Sequence, residues 1–144
     1  MLWLNDILLF AHFVGMIMGT APGIANMVIS RQAVSASPDG AAALRTIPPI
    51  LAGVSGIGLL VLWVTGAILI FTAWQGVENL PVLFWVKLAF VVILTIIAIM
   101  VHVTIREIRA TGNVALSGRL RKLGPFAGVF ALFAILFAVL AFNT

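Results

Sequence analysis

The chain contains no cysteine, which excludes disulfides, thiolate metal sites and thiol redox chemistry. Negative charge is scarce: four acidic residues stand against eight lysines and arginines. None of the four (Asp6, Asp39, Glu78, Glu107) falls inside a long apolar stretch. Within those stretches, carboxylate metal sites, acid–base carboxylate pairs and the carboxylate relays of ion-coupled transport are therefore excluded. No serine–histidine–acid arrangement can be assembled there, and no glycine-rich phosphate loop precedes a helix. Charge of either sign is rare, at 8% of residues, whereas 63% are hydrophobic and the mean hydropathy is +1.26. A soluble domain carries about 25% charged residues, so this composition belongs in lipid.

The net charge of +4 and pI of 11.3 raise nucleic acid as a partner. The charges sit in the gaps between apolar segments, where topology signals belong, so the expected partner is the lipid bilayer and not nucleic acid. The start, Met1-Leu-Trp-Leu-Asn-Asp6, lacks a basic leader region, and the apolar run after it is too long for a cleaved signal, so the N-terminus is expected to be retained.

Four segments are long enough to cross about 30 Å of hydrocarbon as helices: residues 7–29, 50–72, 82–105 and 124–142. The expected fold is all-α, an integral membrane four-helix bundle forming one domain over residues 1–144, with sequence neighbours antiparallel. Pro22 is expected to kink the first helix within Gly19-Thr-Ala-Pro-Gly23. Pro48-Pro49, Pro81 and Pro125 suit the starts of the other three. Arg31 and Arg45 lie in the first connection, and Arg106, Arg109, Arg119, Arg121 and Lys122 in the third. The second has Glu78 and no basic residue. The positive-inside rule then puts connections one and three in the cytoplasm and both termini on the outer, periplasmic side of a bacterial inner membrane. Trp3, Trp74 and Trp85 fall at the outer interface as an aromatic belt. The first connection, Ser30-Arg-Gln-Ala-Val-Ser-Ala-Ser-Pro-Asp-Gly40, reads as a loop. The third extends its helix by a turn or two before Thr111-Gly112-Asn113, and its basic cluster suits topology or anionic lipid head groups.

Helical spacing assigns faces. Gly15, Gly19 and Gly23 recur every four residues on the first helix, a pattern that admits close helix approach. Gly58, Leu62 and Gly66 share a face of the second. On the fourth, Ala127, Ala131, Ala134, Ala138 and Ala141 form a stripe expected to pack on protein. Phe126, Phe130, Phe133 and Phe137 form another, expected to face lipid or to wall a flat cofactor.

Polar residues inside the spans are few. Lys87 is the only charge placed in hydrocarbon, where a lysine near the midplane costs about 2.5–3.5 kcal/mol. Counting from the segment starts, His12 and Lys87 lie at one depth, about 7.5 Å in, and can meet where the first and third helices touch. His102 is about 22 Å deeper, so it and His12 cannot both ligate one haem. His12, beside the glycines, is either a haem ligand with room for a flat macrocycle or a histidine hydrogen-bonded to a serine, threonine or carbonyl of the second helix. Lys87 either snorkels to the interface or meets an anionic group. His102, four residues before Arg106, reads as interfacial.

Leu8-Leu-Phe-Ala-His-Phe-Val-Gly15, the phrase Trp85-Val-Lys-Leu-Ala-Phe90 opening the third helix, and Thr65-Gly66 late in the second together resemble the HemJ-type protoporphyrinogen oxidases. They also resemble the related copper-resistance D-type membrane domains. The resemblance covers the whole chain in architecture, although its motifs are short. It implies that His12 binds haem b as the metal ligand and that Lys87 is required for catalysis; on that reading Lys87 is expected to pair with a propionate or an anionic substrate group. The chain differs from those oxidases in lacking tyrosine altogether and in placing His102 about one turn later than expected. No methionine-rich or paired-histidine copper site appears. The expected function is a haem-b-binding membrane oxidoreductase acting on a tetrapyrrole or quinone-linked substrate. The alternative is a non-enzymatic accessory or assembly subunit of a larger membrane complex, or a homo-oligomer, held by the small-residue stripes.

Overall fold

The computed structural model describes residues 2–142, and the described chain is helical almost throughout, with no strand. Helix α1 spans Leu2–Ser35, α2 Pro38–Leu44, α3 Ile47–Thr72, α4 Val82–Thr111 and α5 Ser117–Phe142. Three stretches among the described residues are long and apolar enough to cross a membrane: Trp3–Ser35, Pro38–Thr72 and Val82–Thr111. The apolar part of α5, Phe126–Ala141, covers about 24 Å at 1.5 Å per residue, short of the roughly 30 Å hydrocarbon core.

The helices outrun the apolar segments that reveal them. α1, at 34 residues, is about 51 Å long. Hydropathy marks where lipid ends, but a helix continues until something caps it. α4 stops where Gly112, at φ +67°, takes the left-handed cap position and donates its N–H to Ile108 O at 2.9 Å. α5 begins at Ser117, eight residues before Pro125, the expected start; the side chains of Arg121, Lys122 and Pro125 lie outside the described residues. α3 starts as expected, with proline in its first turn.

Pro22 lies inside α1, which continues through it without a break. One expectation needs correction: the first connection is not a loop. α1 runs through Arg31 to Ser35, and α2 begins at once with Ser37 as N-cap, its Oγ accepting from Gly40 N at 3.3 Å. Ser-Pro-Asp supplies a cap, a proline at the first position and an acid in the first turn, which is a helix-start signal.

α1 packs along α3, and α4 along α5; α1–α5 and α3–α4 are looser seams. The order round the bundle is therefore α1, α3, α4, α5, and α1 and α4 face each other across the diagonal. The α1–α3 pair is antiparallel, with successive links from Asn5 Nδ2 to Thr72 O (3.4 Å), His12 to Thr65, and Ser55 Oγ to Gly19 O (3.0 Å). Gly58 makes the approach possible. A Cβ there would lie 2.6 Å from Gly19 N and 2.8 Å from Gly15 O. Gly23, by contrast, has open space beside it, so the predicted glycine ribbon is used only in its first half.

On α5 the alanine stripe packs inward: Ala131, Ala134, Ala138 and Ala141 are buried. The phenylalanine stripe is split. Phe126 is exposed, whereas Phe130, Phe133 and Phe137 gather around Phe90 of α4, with ring centroids 5.8, 5.6 and 5.5 Å away. Three of the four rings therefore help hold the α4–α5 seam and do not simply face lipid.

Candidate functional site

Because the tight seams are α1–α3 and α4–α5, space remains between the two pairs. A cavity of about 320 Å³ lies there. Its walls are mostly apolar, and its polar lining includes His12, Asn26, Ser55, Lys87 and His102. That is within the usual range for ligand pockets, about 300–1,000 Å³ of largely hydrophobic wall with a few placed polar groups.

His12 is held by α3. Its Nδ1 lies 2.8 Å from Thr65 Oγ1, and Thr65 is buried. The direction of that bond follows from the next one. Thr65 Oγ1 donates its only hydrogen to Val61 O at 2.6 Å, one turn back on α3. The hydroxyl oxygen can then only accept from His12, so the imidazole proton is on Nδ1. With one proton on the ring, Nε2 presents a lone pair and has no hydrogen-bond partner among the described residues. A histidine oriented by an Nδ1–H donor bond with Nε2 bare has the arrangement of a metal ligand. The ring lies beside Gly66, the next residue on α3, where a Cβ would stand in ordinary contact, 3.4 Å from His12 Cε1.

The sequence weighed a hydrogen bond to the second spanning helix against a free ligand. The structure shows the hydrogen bond, made by Nδ1 to Thr65, and leaves Nε2 without a partner among the described residues. Thr65 was legible as one of the second helix's polar groups able to bond His12, and which of them does so depends on the antiparallel register set by Gly58.

Lys87 lines the same cavity and is near enough to His12 for their charges to interact, though it reaches the cavity from the diagonal helix, since α1 and α4 do not pack along each other. The α3–α4 register comes from two links. Trp63 Nε1 donates to Thr95 Oγ1 at 3.0 Å, and the His102 ring lies over Gly56, where a Cβ would stand 3.1 Å from Cε1. Carried along the antiparallel pair, this puts Lys87 level with Phe71, whereas His12 is level with Thr65. The two residues are thus offset by about 9 Å along the bundle, not at one depth as counting from segment starts had put them. The Lys87 ammonium lies 5.8 Å from the centroid of the Phe84 ring, one turn nearer the start of α4. Phe84 lines the cavity too, so ring and ammonium share that part of its wall.

His102 lies about 14 Å along the bundle from His12 by the same register, nearer than the separation counted from the sequence but still too far to share one iron. Its Nδ1 is 2.9 Å from Ala98 O. The cavity wall also holds a buried side-chain oxygen, Asn26 Oδ1, that has no hydrogen-bond partner among the described residues. Such an acceptor is one that a water or an occupant satisfies. Among the described residues, no group of three or more histidine and acidic side chains stands together to hold a bare metal ion. Comparison with known family models, curated proteins and solved structures finds no match to this chain.

Proposed function

We propose that this chain is a multi-pass protein of a bacterial inner membrane, spanning it four times with both termini outside, and that its central cavity binds haem b on His12. The observation that carries the reading is the His12–Thr65–Val61 chain of hydrogen bonds, which leaves Nε2 as a bare ligand atom on the wall of an apolar cavity. The lining suits the group in its chemistry: the walls are apolar, and Lys87 on the same wall supplies a cation for a propionate or for an anionic substrate group.

Haem supplies one-electron transfer when bound. The protein's share of the work is positional. Thr65 fixes the tautomer and orientation of His12, which raises the ligand's basicity. The apolar walls keep water away from the redox centre. Lys87 selects for a negatively charged edge on whatever enters. The activity proposed is oxidation or reduction of a tetrapyrrole or a quinone-linked substrate, in keeping with the resemblance to the HemJ-type oxidases.

An accessory-subunit role is less well supported. It rests on the small-residue stripes, and these are taken up within the chain, Gly15 and Gly58 by the α1–α3 seam and the α5 alanines by the bundle interior. The test is optical. Protein purified from haem-replete cells should carry a Soret band that His12→Ala removes and His102→Ala retains; a colourless preparation would refute the reading.

A further inference from the structure

His102 is not used by the proposed haem site, and its surroundings are unusual. A groove of about 320 Å³ opens between α3 and α4, lined by Gly56, Thr95, Ile99, His102, Val103 and Arg106 among others. His102 lines both this groove and the central cavity. Its ring therefore stands in the partition between them, at one of the bundle's two looser seams. Ile99 and Val103 on the rim are more than half exposed. Both belong to a helix long and apolar enough to cross a membrane, so the groove's mouth faces lipid.

The chemistry inside is one-sided. Ala98 O can only accept, so His102 Nδ1, 2.9 Å away, carries the proton. With one proton on the ring, Nε2 is an acceptor without a partner among the described residues. That edge of the ring sits against Gly56, where a Cβ would lie 3.2 Å from Nε2, so the glycine is what admits the imidazole. Thr95 Oγ1 has already committed its hydrogen to Val91 O, at 2.8 Å. What the groove offers an incoming ring is therefore an acceptor at His102 and, at the rim, the donor guanidinium of Arg106.

A ligand for this site must come from the bilayer and bring a hydrogen to Nε2. We propose that the α3–α4 groove binds a lipid-soluble hydroquinone, one ring hydroxyl donating to His102 Nε2 and a ring oxygen facing Arg106. The oxidised quinone has only carbonyl acceptors and gives Nε2 nothing, so the site prefers the reduced form. This rests on the quinone-linked part of the proposed function, but not on haem at His12.

The test uses the full chain in detergent and calorimetric titration with a decyl-tailed benzohydroquinone kept reduced, its dimethyl ether and its quinone. The hydroquinone should bind about three- to tenfold more tightly than the other two, the worth of one hydrogen bond. His102→Phe should bring the hydroquinone down to the affinity of the ether while leaving the ether unchanged. Equal binding of hydroquinone and ether by the unaltered chain overturns the proposal, and that comparison decides the matter even if the variant does not fold. His12→Ala should lose the Soret band and keep the hydroquinone preference, so that either inference can fail without the other.

Discussion

Replacing Gly58 with alanine should loosen the α1–α3 seam on which the His12 site depends. The added Cβ would lie 2.6 Å from Gly19 N, 2.7 Å from Met18 Cβ and 2.8 Å from Gly15 O. Two of these are backbone atoms and cannot rotate away, so the helices must separate or shift. Overpacking of this kind costs about 1–3 kcal/mol. Gly23→Ala is the matched control. It makes the same chemical change in the partner helix, but nothing lies within 4 Å of the new Cβ. Both substitutions also gain roughly 0.5–1 kcal/mol from reduced backbone freedom, so the difference between them isolates packing. Titrating both purified variants with a denaturing detergent, followed by far-ultraviolet circular dichroism, should show Gly58→Ala less stable than Gly23→Ala by about 1–3 kcal/mol. Equal stability of the two variants, or a Gly58→Ala protein more stable than the original, would refute the packing argument and the register drawn from it.

Three further outcomes follow from the same geometry. Thr65→Val keeps the shape of the side chain but removes the acceptor for His12 Nδ1–H; haem affinity should fall about 10- to 100-fold, measured by haem loss to an acceptor apoprotein, with the Soret band still present. Lys87→Met should keep the fold and weaken binding of a dicarboxylic porphyrin about tenfold, with Lys87→Arg restoring it and the porphyrin diester indifferent to both, as titration would show. Because the chain has no cysteine, single cysteines report topology cleanly. Glu78→Cys and Asn143→Cys should react with an impermeant maleimide from outside intact cells, and Asn113→Cys only after lysis; labelling of Asn113 and Glu78 from one side would refute the orientation.

Much of the fold was legible because lipid imposes a simple rule, that apolar runs of sufficient length are helices. The helix ends were less so. Hydropathy does not show α1 continuing through Arg31 to Ser35, and the small polar composition of residues 30–40 reads as a loop although the Ser37-Pro-Asp-Gly40 cap lies within it. The alanine stripe of α5 was read correctly from its spacing. The adjacent phenylalanines were read in part: Phe126 and Phe133 are exposed, but nothing in a single helix's period reveals that Phe90 of another helix stands against three of them. For the site, sequence found His12 and Lys87 but set them at one depth and in contact. In a bundle whose sequence neighbours are adjacent, the first and third spans are diagonal, and depth depends on inter-helix register. That register is set by contacts such as Gly58 against Gly19 and Trp63 against Thr95, which no single segment encodes.

The central claim is that His12 Nε2 is a haem ligand, and the absorption spectrum of the purified full-length protein tests it most directly. Expressed in haem-replete cells, the protein should show a Soret band corresponding to one haem b per chain, lost in His12→Ala and retained in His102→Ala. A colourless protein, or a band of full intensity in a folded His12→Ala variant, would contradict the account.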